Sequence, residues 1–421
     1  MPLWFYSSAS SADADAAVAA ASAAFPVWSK TKPAGGGPAA GRAKEFQTHM
    51  IEETGSGAPF AQFDVFTAAD HIRDAAGRIS SIAGSIPICK DEGTSALVLK
   101  EPYGVILSIA PWNAVHILGV RSVLFTIATG NTCPSLRPQH RPRFHGRGSP
   151  PGVLNIIYTT RADSPAITAQ LIAAPAIRKI NFTGSTAVGA AIAAAAGKAL
   201  RPCLLELGGK AAAIVLEDAD LERAATQCVI CMATERILVC ASVMDAFRPL
   251  LKQAIAGFAP AEGPAAVLVQ GSAVKRNRAL VADALSKGAT LLHGDHMVVE
   301  GHPEMGMASE TRMRLVVVEG VTAEMALYRE ESFGPSVSVI AVKDEEEAIA
   351  ISNASEYGLN GAVFTRDLAR GIRVAKRLEC GSVHINSITV HDEAVLPHGG
   401  VKSSTPALTS FLRSKTITFQ E

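Results

Sequence analysis

The sequence predicts an α/β protein built on parallel sheets, and three observations carry that prediction. From Leu99 onward, short β-branched stretches alternate with helical ones, the order that crossover connections require. Several strand candidates are nearly continuous apolar runs, as in Val105-Ile106-Leu107-Ser108-Ile109, which is how a strand buried on both faces reads. The 421 residues are 48% hydrophobic and 19% charged, enough for two or three packed domains and unlike a disordered chain.

The elements follow in order. Residues 14–25 form an alanine-rich helix with Ser11 and Asp13 as caps. Pro33-Ala34-Gly35-Gly36-Gly37-Pro38 then reads as a surface linker, and residues 60–82 are helical again. The apolar stretch 103–120 contains Pro111, Asn113 and His116, so it reads as a buried strand and loop rather than a membrane span. Residues 135–148 have no hydrophobic period, and their Arg/Pro/His/Gly bias reads as an insert that interrupts the pattern. Residues 177–182 are a strand, followed by Gly184-Ser185 and an alanine-rich helix to Ala199. Strands 204–206 and 211–216 flank Gly208-Gly209, and Asp218 caps a helix that begins near Leu221. Strands 315–318, 336–342 and 383–385 are interleaved with helices 345–352 and 368–378. No internal repeat is present.

Composition excludes several classes. The formal net charge is zero, which gives no electrostatic footprint for nucleic acid. The seven cysteines show no disulfide spacing, which points to a reduced, cytoplasmic setting. Met1-Pro2-Leu3-Trp4-Phe5-Tyr6 lacks the basic region of a signal peptide. Cys228 and Cys231 make a C-x-x-C pair, but no second close Cys or His pair accompanies it, so no metal site is expected.

Three segments carry chemistry. In Phe182-Thr183-Gly184-Ser185-Thr186-Ala187-Val188-Gly189 a strand runs through a glycine turn into a helix. That arrangement offers backbone N–H groups and a positive helix end to a pyrophosphate, although the motif is not G-x-G-x-x-G and an ordinary strand-to-helix turn has the same pattern. Glu206, in Glu206-Leu207-Gly208-Gly209-Lys210, ends an apolar strand. A carboxylate there is partly desolvated and suits a general base; bonding to loop N–H groups is the competing reading. Cys231 follows a helix and precedes the charged Thr234-Glu235-Arg236, a setting for a thiolate nucleophile, whereas a buried cysteine is ordinarily a small core hydrophobe. Asn113, after Ala110-Pro111-Trp112, is an oxyanion donor or a turn former. Glu331 and Phe333, in Glu330-Glu331-Ser332-Phe333-Gly334-Pro335, either hold a ribose and a flat ring or form a charged turn.

Together APWN, FTGSTAVG, LELGGK, ICMATER and EESFGP resemble the aldehyde dehydrogenase superfamily, and the resemblance spans residues 14–420. The stretches 384–393 and 397–402 are similar to its salicylaldehyde and vanillin dehydrogenase branch. The resemblance implies a Rossmann-type NAD-binding domain, an α/β catalytic domain and a small oligomerisation arm. The domains are placed at 1–207 for the nucleotide, with 88–101 in the arm, at 208–401 for catalysis, and at 402–421 for a C-terminal oligomerisation segment. It implies NAD, with NADP not excluded, an aromatic aldehyde as substrate, and a homodimer or homotetramer with neither nucleic acid nor membrane as partner. By the same resemblance Cys231 is the nucleophile, Asn113 steadies the oxyanion and Glu206 activates water. Ser185 lies on the pyrophosphate, Thr183 near the nicotinamide, Glu331 on its ribose and Phe333 beside its ring. Pro111, Trp112, Gly184, Val188, Leu207 and Gly208 complete the cofactor site.

This chain departs from the family's pattern at several points. Cys228-Val229-Ile230 stands where a Gly-Gln pair precedes the nucleophile, and about nine residues are missing before it, or ~13 Å if helical. Within 135–148, Arg137 is the only candidate to replace a ribose-gripping lysine, and the glutamate that follows it in the family has no counterpart. These departures keep two alternatives open: an impaired relative that binds or supports without turning over, and a thiol esterase built from Cys231, Asn113 and Glu206.

Overall fold

The computed structural model describes residues 8–31, 42–138, 150–230, 233–259, 265–297, 309–404 and 416–419. The chain divides into two compact units, residues 1–205 with 393–395, and residues 206–392 with 396–421.

In the first unit the elements are α1 (Ser11–Trp28), α2 (Ala43–Thr54), α3 (Ala58–Arg78), β1 (Val105–Ile109), α4 (Val115–Ala128), β2 (Cys133–Pro138), β3 (Leu154–Thr159), α5 (Ser164–Ala173), β4 (Ile177–Thr183), α6 (Thr186–Lys198) and β5 (Cys203–Glu206). The strands lie in the order β3-β2-β1-β4-β5. β1 is parallel to both β2 and β4, and β2 is parallel to β3. This is a doubly wound order, in which the winding reverses between β1 and β4. All five residues of β1 are buried, as its largely apolar run requires, and the one hydroxyl, of Ser108, donates to Ser122 O.

Three expectations change here. Ser10, not Ser11, caps α1, in a reciprocal box with Asp13. The apolar stretch 103–120 is not strand and loop throughout: from Val115 it is α4, whose Ile117, Leu118 and Val120 pack with Ala68 of α3. The segment 135–148 does not interrupt the sheet from its start. Residues up to Pro138 belong to β2, with Ser135 and Leu136 paired to β1, and residues 139–149 lie outside the described residues. Between α3 and β1 the chain makes antiparallel bridges Ser85↔Val98 and Ile88↔Ser95.

The second unit contains β6 (Ala211–Val215), α7 (Leu221–Ile230), β7 (Thr234–Cys240), α8 (Ala241–Phe258), β8 (Ala266–Val267), α9 (Gly271–Ser286), β9 (Thr290–His293), β10 (Arg312–Met313), β11 (Val316–Glu319), α10 (Ala326–Arg329), β12 (Ser336–Val342), α11 (Glu345–Asn353), β13 (Asn360–Phe364), α12 (Leu368–Arg377), β14 (Ser382–Ile385) and β15 (Thr416–Phe419). Its main sheet runs β15-β14-β13-β6-β7-β12-β11-β9, parallel except where β9 meets β11. Alternate residues of the same strands feed two cores. Ile214, Leu238 and Val363 pack on one face, and Val215, Val239 and Phe364 on the other. The carboxylate of Asp218 does not cap α7. It accepts from Thr365 Oγ1, Arg366 N and Asp367 N in the β13–α12 turn, while Asp220 accepts from Arg223 N in the first turn of α7. Only residues 231–233 separate α7 from β7.

Candidate active site

The first unit brings two of the predicted segments to one edge. Ile109 of β1 lies opposite Phe182 of β4. Beyond that pair, Pro111, Trp112 and Asn113 leave the sheet beside Thr183, Gly184 and Ser185. This is the carboxyl edge at the point where the winding reverses, the usual place for a bound nucleotide in such sheets.

Two helices begin at this edge, and their N-termini differ. At α4 the buried Asp64 of α3 accepts from His116 N at 2.8 Å and Ile117 N at 3.1 Å, and also contacts His116 Nδ1 at 2.8 Å. A protein carboxylate therefore already occupies that positive helix end. At α6 the N-cap Ser185 is extended and makes no side-chain capping bond. Ser185 is exposed, as is Val188 in the first turn. A Cβ on Gly184 would sit 2.6 Å from the Phe182 ring, so the turn into α6 excludes a side chain. The donor set here, a hydroxyl that makes no capping bond and the backbone of a helix start, fits a pyrophosphate.

Arg137 does not fit the ribose role. It is buried beneath α4, where its Nη2 donates to Gly119 O at 2.7 Å. A Cβ on Gly119 would collide with the guanidinium, and burial lowers the Arg137 pKa to about 10.

The second unit gathers Glu206, Leu207, Gly208, Glu331 and Phe333. Glu206 Oε1 lies 3.3 Å from His398 Nε2, with both side chains largely buried. The loop after Glu206 is held through its backbone. Leu207 N donates to Ser404 O, and Ser404 Oγ donates to Gly208 O at 2.6 Å. Gly209 N donates to Glu331 Oε1 at 2.7 Å, and a Cβ on Gly208 would meet the Glu331 carboxylate at 2.8 Å. The first glycine is thus needed for close approach. Burial, reinforced by the nearby Glu235 charge, raises the Glu331 pKa against the opposing bond from Gly209 N.

Beneath this loop lies a buried ion pair that sequence reasoning did not identify. Lys210 Nζ and Glu235 Oε2 are 2.7 Å apart, with side chains 0% and 6% exposed. Burial lowers the Lys210 pKa, and Glu235 opposes that shift. Glu235 also accepts from Ser332 N, Ser332 Oγ and Phe333 N at 2.9–3.1 Å. Phe333 has φ +45°, a left-handed conformation that costs a side-chain-bearing residue roughly 1–2 kcal/mol; the charge-assisted bonds to Glu235 offset it.

Arg236, equally buried, donates to the carbonyls of Lys210, Ile351 and Ser352. The charges in Thr234-Glu235-Arg236 are therefore committed to buried partners, so their presence alone does not single out Cys231 as an activated thiol. Cys231 itself lies outside the described residues. The available signal for the missed pair was a Glu-Arg dipeptide opening a strand that is buried at all seven positions.

Among the described residues no helix is long and apolar enough to cross a membrane. The model of the aldehyde dehydrogenase family matches residues 2–410. A vanillin dehydrogenase of Pseudomonas sp. strain HR199 is 41% identical over 94% of this chain and 86% of its own length. A solved salicylaldehyde dehydrogenase of Pseudomonas putida G7, complexed with salicylaldehyde, is 34% identical with a TM-score of 0.85, over 94% of this chain and 86% of that one. Two other solved relatives hold nucleotides. The Bacillus halodurans C-125 NADP-dependent glyceraldehyde-3-phosphate dehydrogenase, complexed with NADP, is 29% identical with a TM-score of 0.79, over 94% of this chain and 87% of that one. A betaine aldehyde dehydrogenase of Staphylococcus aureus, in complex with NAD+, is 25% identical with a TM-score of 0.84, over 95% and 84%. On these matches, this chain belongs to the aldehyde dehydrogenase family of NAD(P)-dependent oxidoreductases.

Proposed function

We propose that this protein oxidises an aromatic aldehyde to its carboxylic acid with NAD as acceptor, NADP being the alternative nucleotide. The observation that carries the nucleotide half is the contrast at the β1/β4 edge. The start of α4 is filled by Asp64, and the start of α6 carries no side-chain cap. Similarity to vanillin and salicylaldehyde dehydrogenases supports the aromatic substrate.

In this reading the Cys231 thiolate attacks the aldehyde carbon, and the Asn113 amide steadies the resulting oxyanion. A nicotinamide nucleotide held there would supply the hydride acceptor, so that the carbon bonded to Cys231 would be left as a thioester. Glu206 takes a proton from water, the hydroxide attacks the thioester, and the acid leaves with the thiolate restored. His398 Nε2, 3.3 Å from Glu206 Oε1, helps to orient that carboxylate. Gly184, Ser185 and Val188 hold the pyrophosphate end with Pro111 and Trp112, and Thr183 lies near the nicotinamide. Leu207, Gly208, Glu331 and Phe333 hold the nicotinamide end. Residues 1–207 serve the nucleotide and residues 208–401 the chemistry. The exposed Ile86, Ile88, Leu97 and Leu99 around the 85–98 bridges present an apolar arm for a second copy, as in a homodimer or homotetramer, and residues 402–421 contribute to the same assembly. The setting is the cytoplasm.

A second reading, a nucleotide-binding relative with impaired turnover, is favoured by one observation: Arg137 is buried beneath α4 and leaves the adenosine ribose without its basic partner. Formation of NADH from salicylaldehyde or benzaldehyde, followed by absorbance beside a Cys231→Ala control, separates the readings. Activity lost in the control supports the dehydrogenase. NAD binding without turnover supports the impaired relative, and ester hydrolysis without NADH formation supports a thiol esterase.

A further inference from the structure

We infer that Glu235 is a positioning residue for the nucleotide: from beneath the site, it fixes the 331–333 turn so that Glu331 and Phe333 face the cofactor. This rests on the nicotinamide-end roles proposed above for those two residues.

The geometry is specific. The turn is gripped at consecutive groups of one residue. Ser332 N and Oγ donate to Glu235, while Ser332 O accepts from Arg276 Nη2 at 2.6 Å and Asn277 Nδ2 at 3.0 Å. Ser332 is fully buried. With Ser332 anchored and Phe333 N also bonded to Glu235, the flanking side chains have no freedom to exchange places. Phe333 is directed outward at 44% exposure, in a left-handed conformation, and Glu331 is directed onto Gly209 N. The second oxygen of Glu235 is held by Lys210, which lies next to Gly209 in the chain. One carboxylate therefore joins the glycine loop after Glu206, the turn bearing Glu331 and Phe333, and the start of β7, four residues beyond Cys231. Glu235 itself is 5% exposed, so it acts on a bound nucleotide only through the residues it holds.

The test measures NAD binding to the full chain by calorimetry, with thermal unfolding recorded for each variant. Lys210→Met accompanies each Glu235 substitution, so that no variant leaves a lone buried ammonium or a lone buried carboxylate. The Lys210→Met/Glu235→Ala protein is expected to bind NAD ten-fold or more weakly than the unsubstituted chain. Glu235→Gln, which keeps an acceptor for Ser332 N and Phe333 N, is expected to recover most of the loss. KM for the aldehyde should move much less than the NAD affinity. Adding Glu331→Gln should weaken binding strongly when Glu235 is present and little when it is Ala, because the two act as one unit. Ser332→Ala, which removes a single hydroxyl donor, should give a smaller change of the same sign and keeps the test open if the Ala variant does not fold. Additive losses, or NAD affinity unchanged in folded Glu235→Ala and Ser332→Ala proteins, would overturn the inference alone. Failure of the unsubstituted chain to bind NAD or NADP would overturn both the nucleotide reading and this inference.

Discussion

The two proposed ligand surfaces are built in opposite ways. At the β1/β4 edge the proposed donors are local: a glycine turn, an extended Ser185 that makes no side-chain capping bond, and the start of α6. Around Gly208-Gly209 the surface is set by buried charge, with Lys210 and Glu235 beneath the loop and Glu331 against it. A helix terminus needs only local geometry to attract an anion. A buried ion pair must be complete, because removing one partner leaves a desolvated charge. Changes in the first region should therefore cost binding and spare the fold, and changes in the second should cost the fold as well.

The largest expected effect lies outside both regions and tests whether either serves catalysis. Cys231→Ala should lower NADH formation by ~10^4-fold or more while leaving NAD affinity nearly intact, as shown by parallel kinetics and calorimetry. A variant that keeps substantial activity would remove the thiol from the reaction and reduce both surfaces to binding sites.

Next comes the ion pair. Lys210→Met leaves Glu235 buried without its cation and should destabilise the second unit by about 3–5 kcal/mol, measured by urea unfolding. Lys210→Met with Glu235→Gln should recover most of that loss. If the single variant is as stable as the unsubstituted chain, the contrast between the units fails.

His384 sharpens the same contrast through pH. It is fully buried in β14, its ring lies 5.9 Å from that of His391, and His398 also acts on it. Burial first, then these two histidines, lowers its pKa to about 4 from 6.5. The unfolded chain takes up the proton near pH 6.5 and the folded chain only near pH 4. Between these values the unfolded state binds more protons, so stability falls as pH falls, by ~3 kcal/mol across the window. His384→Gln should flatten that part of the stability curve. An unchanged slope would assign the acid sensitivity to other groups.

How much of this was legible follows from the same difference. The local structure around Ser185 was readable because strand, turn and helix are consecutive within Phe182–Gly189. The ion pair was not, since Lys210 and Glu235 are separated by 25 positions and Glu235 and Ser332 by 97. Nothing local says that a lysine after two glycines will meet a glutamate opening the next strand of the sheet. Asp64 was hidden in the same way, 52 positions from the helix start that it fills. The missed strand β2 has another cause. Cys133-Pro134-Ser135-Leu136-Arg137-Pro138 has poor strand propensity, and pairing with β1 and β3 on both sides overrides it.

The smallest predicted effect probes the α6 terminus alone. Ser185→Ala removes one hydroxyl from an exposed position where it makes no capping bond in the free protein. No folded-state hydrogen bond to the helix is lost, so stability should change by less than about 0.5 kcal/mol. If the hydroxyl donates to the pyrophosphate, NAD affinity should fall by ~3–15-fold, the equivalent of one hydrogen bond at about 0.5–1.5 kcal/mol. Backbone amides and the helix end remain, so binding should weaken rather than vanish. Measured together, calorimetric affinity and urea stability give opposite patterns for Ser185→Ala and Lys210→Met: one loses ligand and keeps its fold, the other loses fold. Should Ser185→Ala lose stability and keep its affinity, the hydroxyl is a structural cap after all, and the proposed anion site at α6 would have to rest on its amides alone.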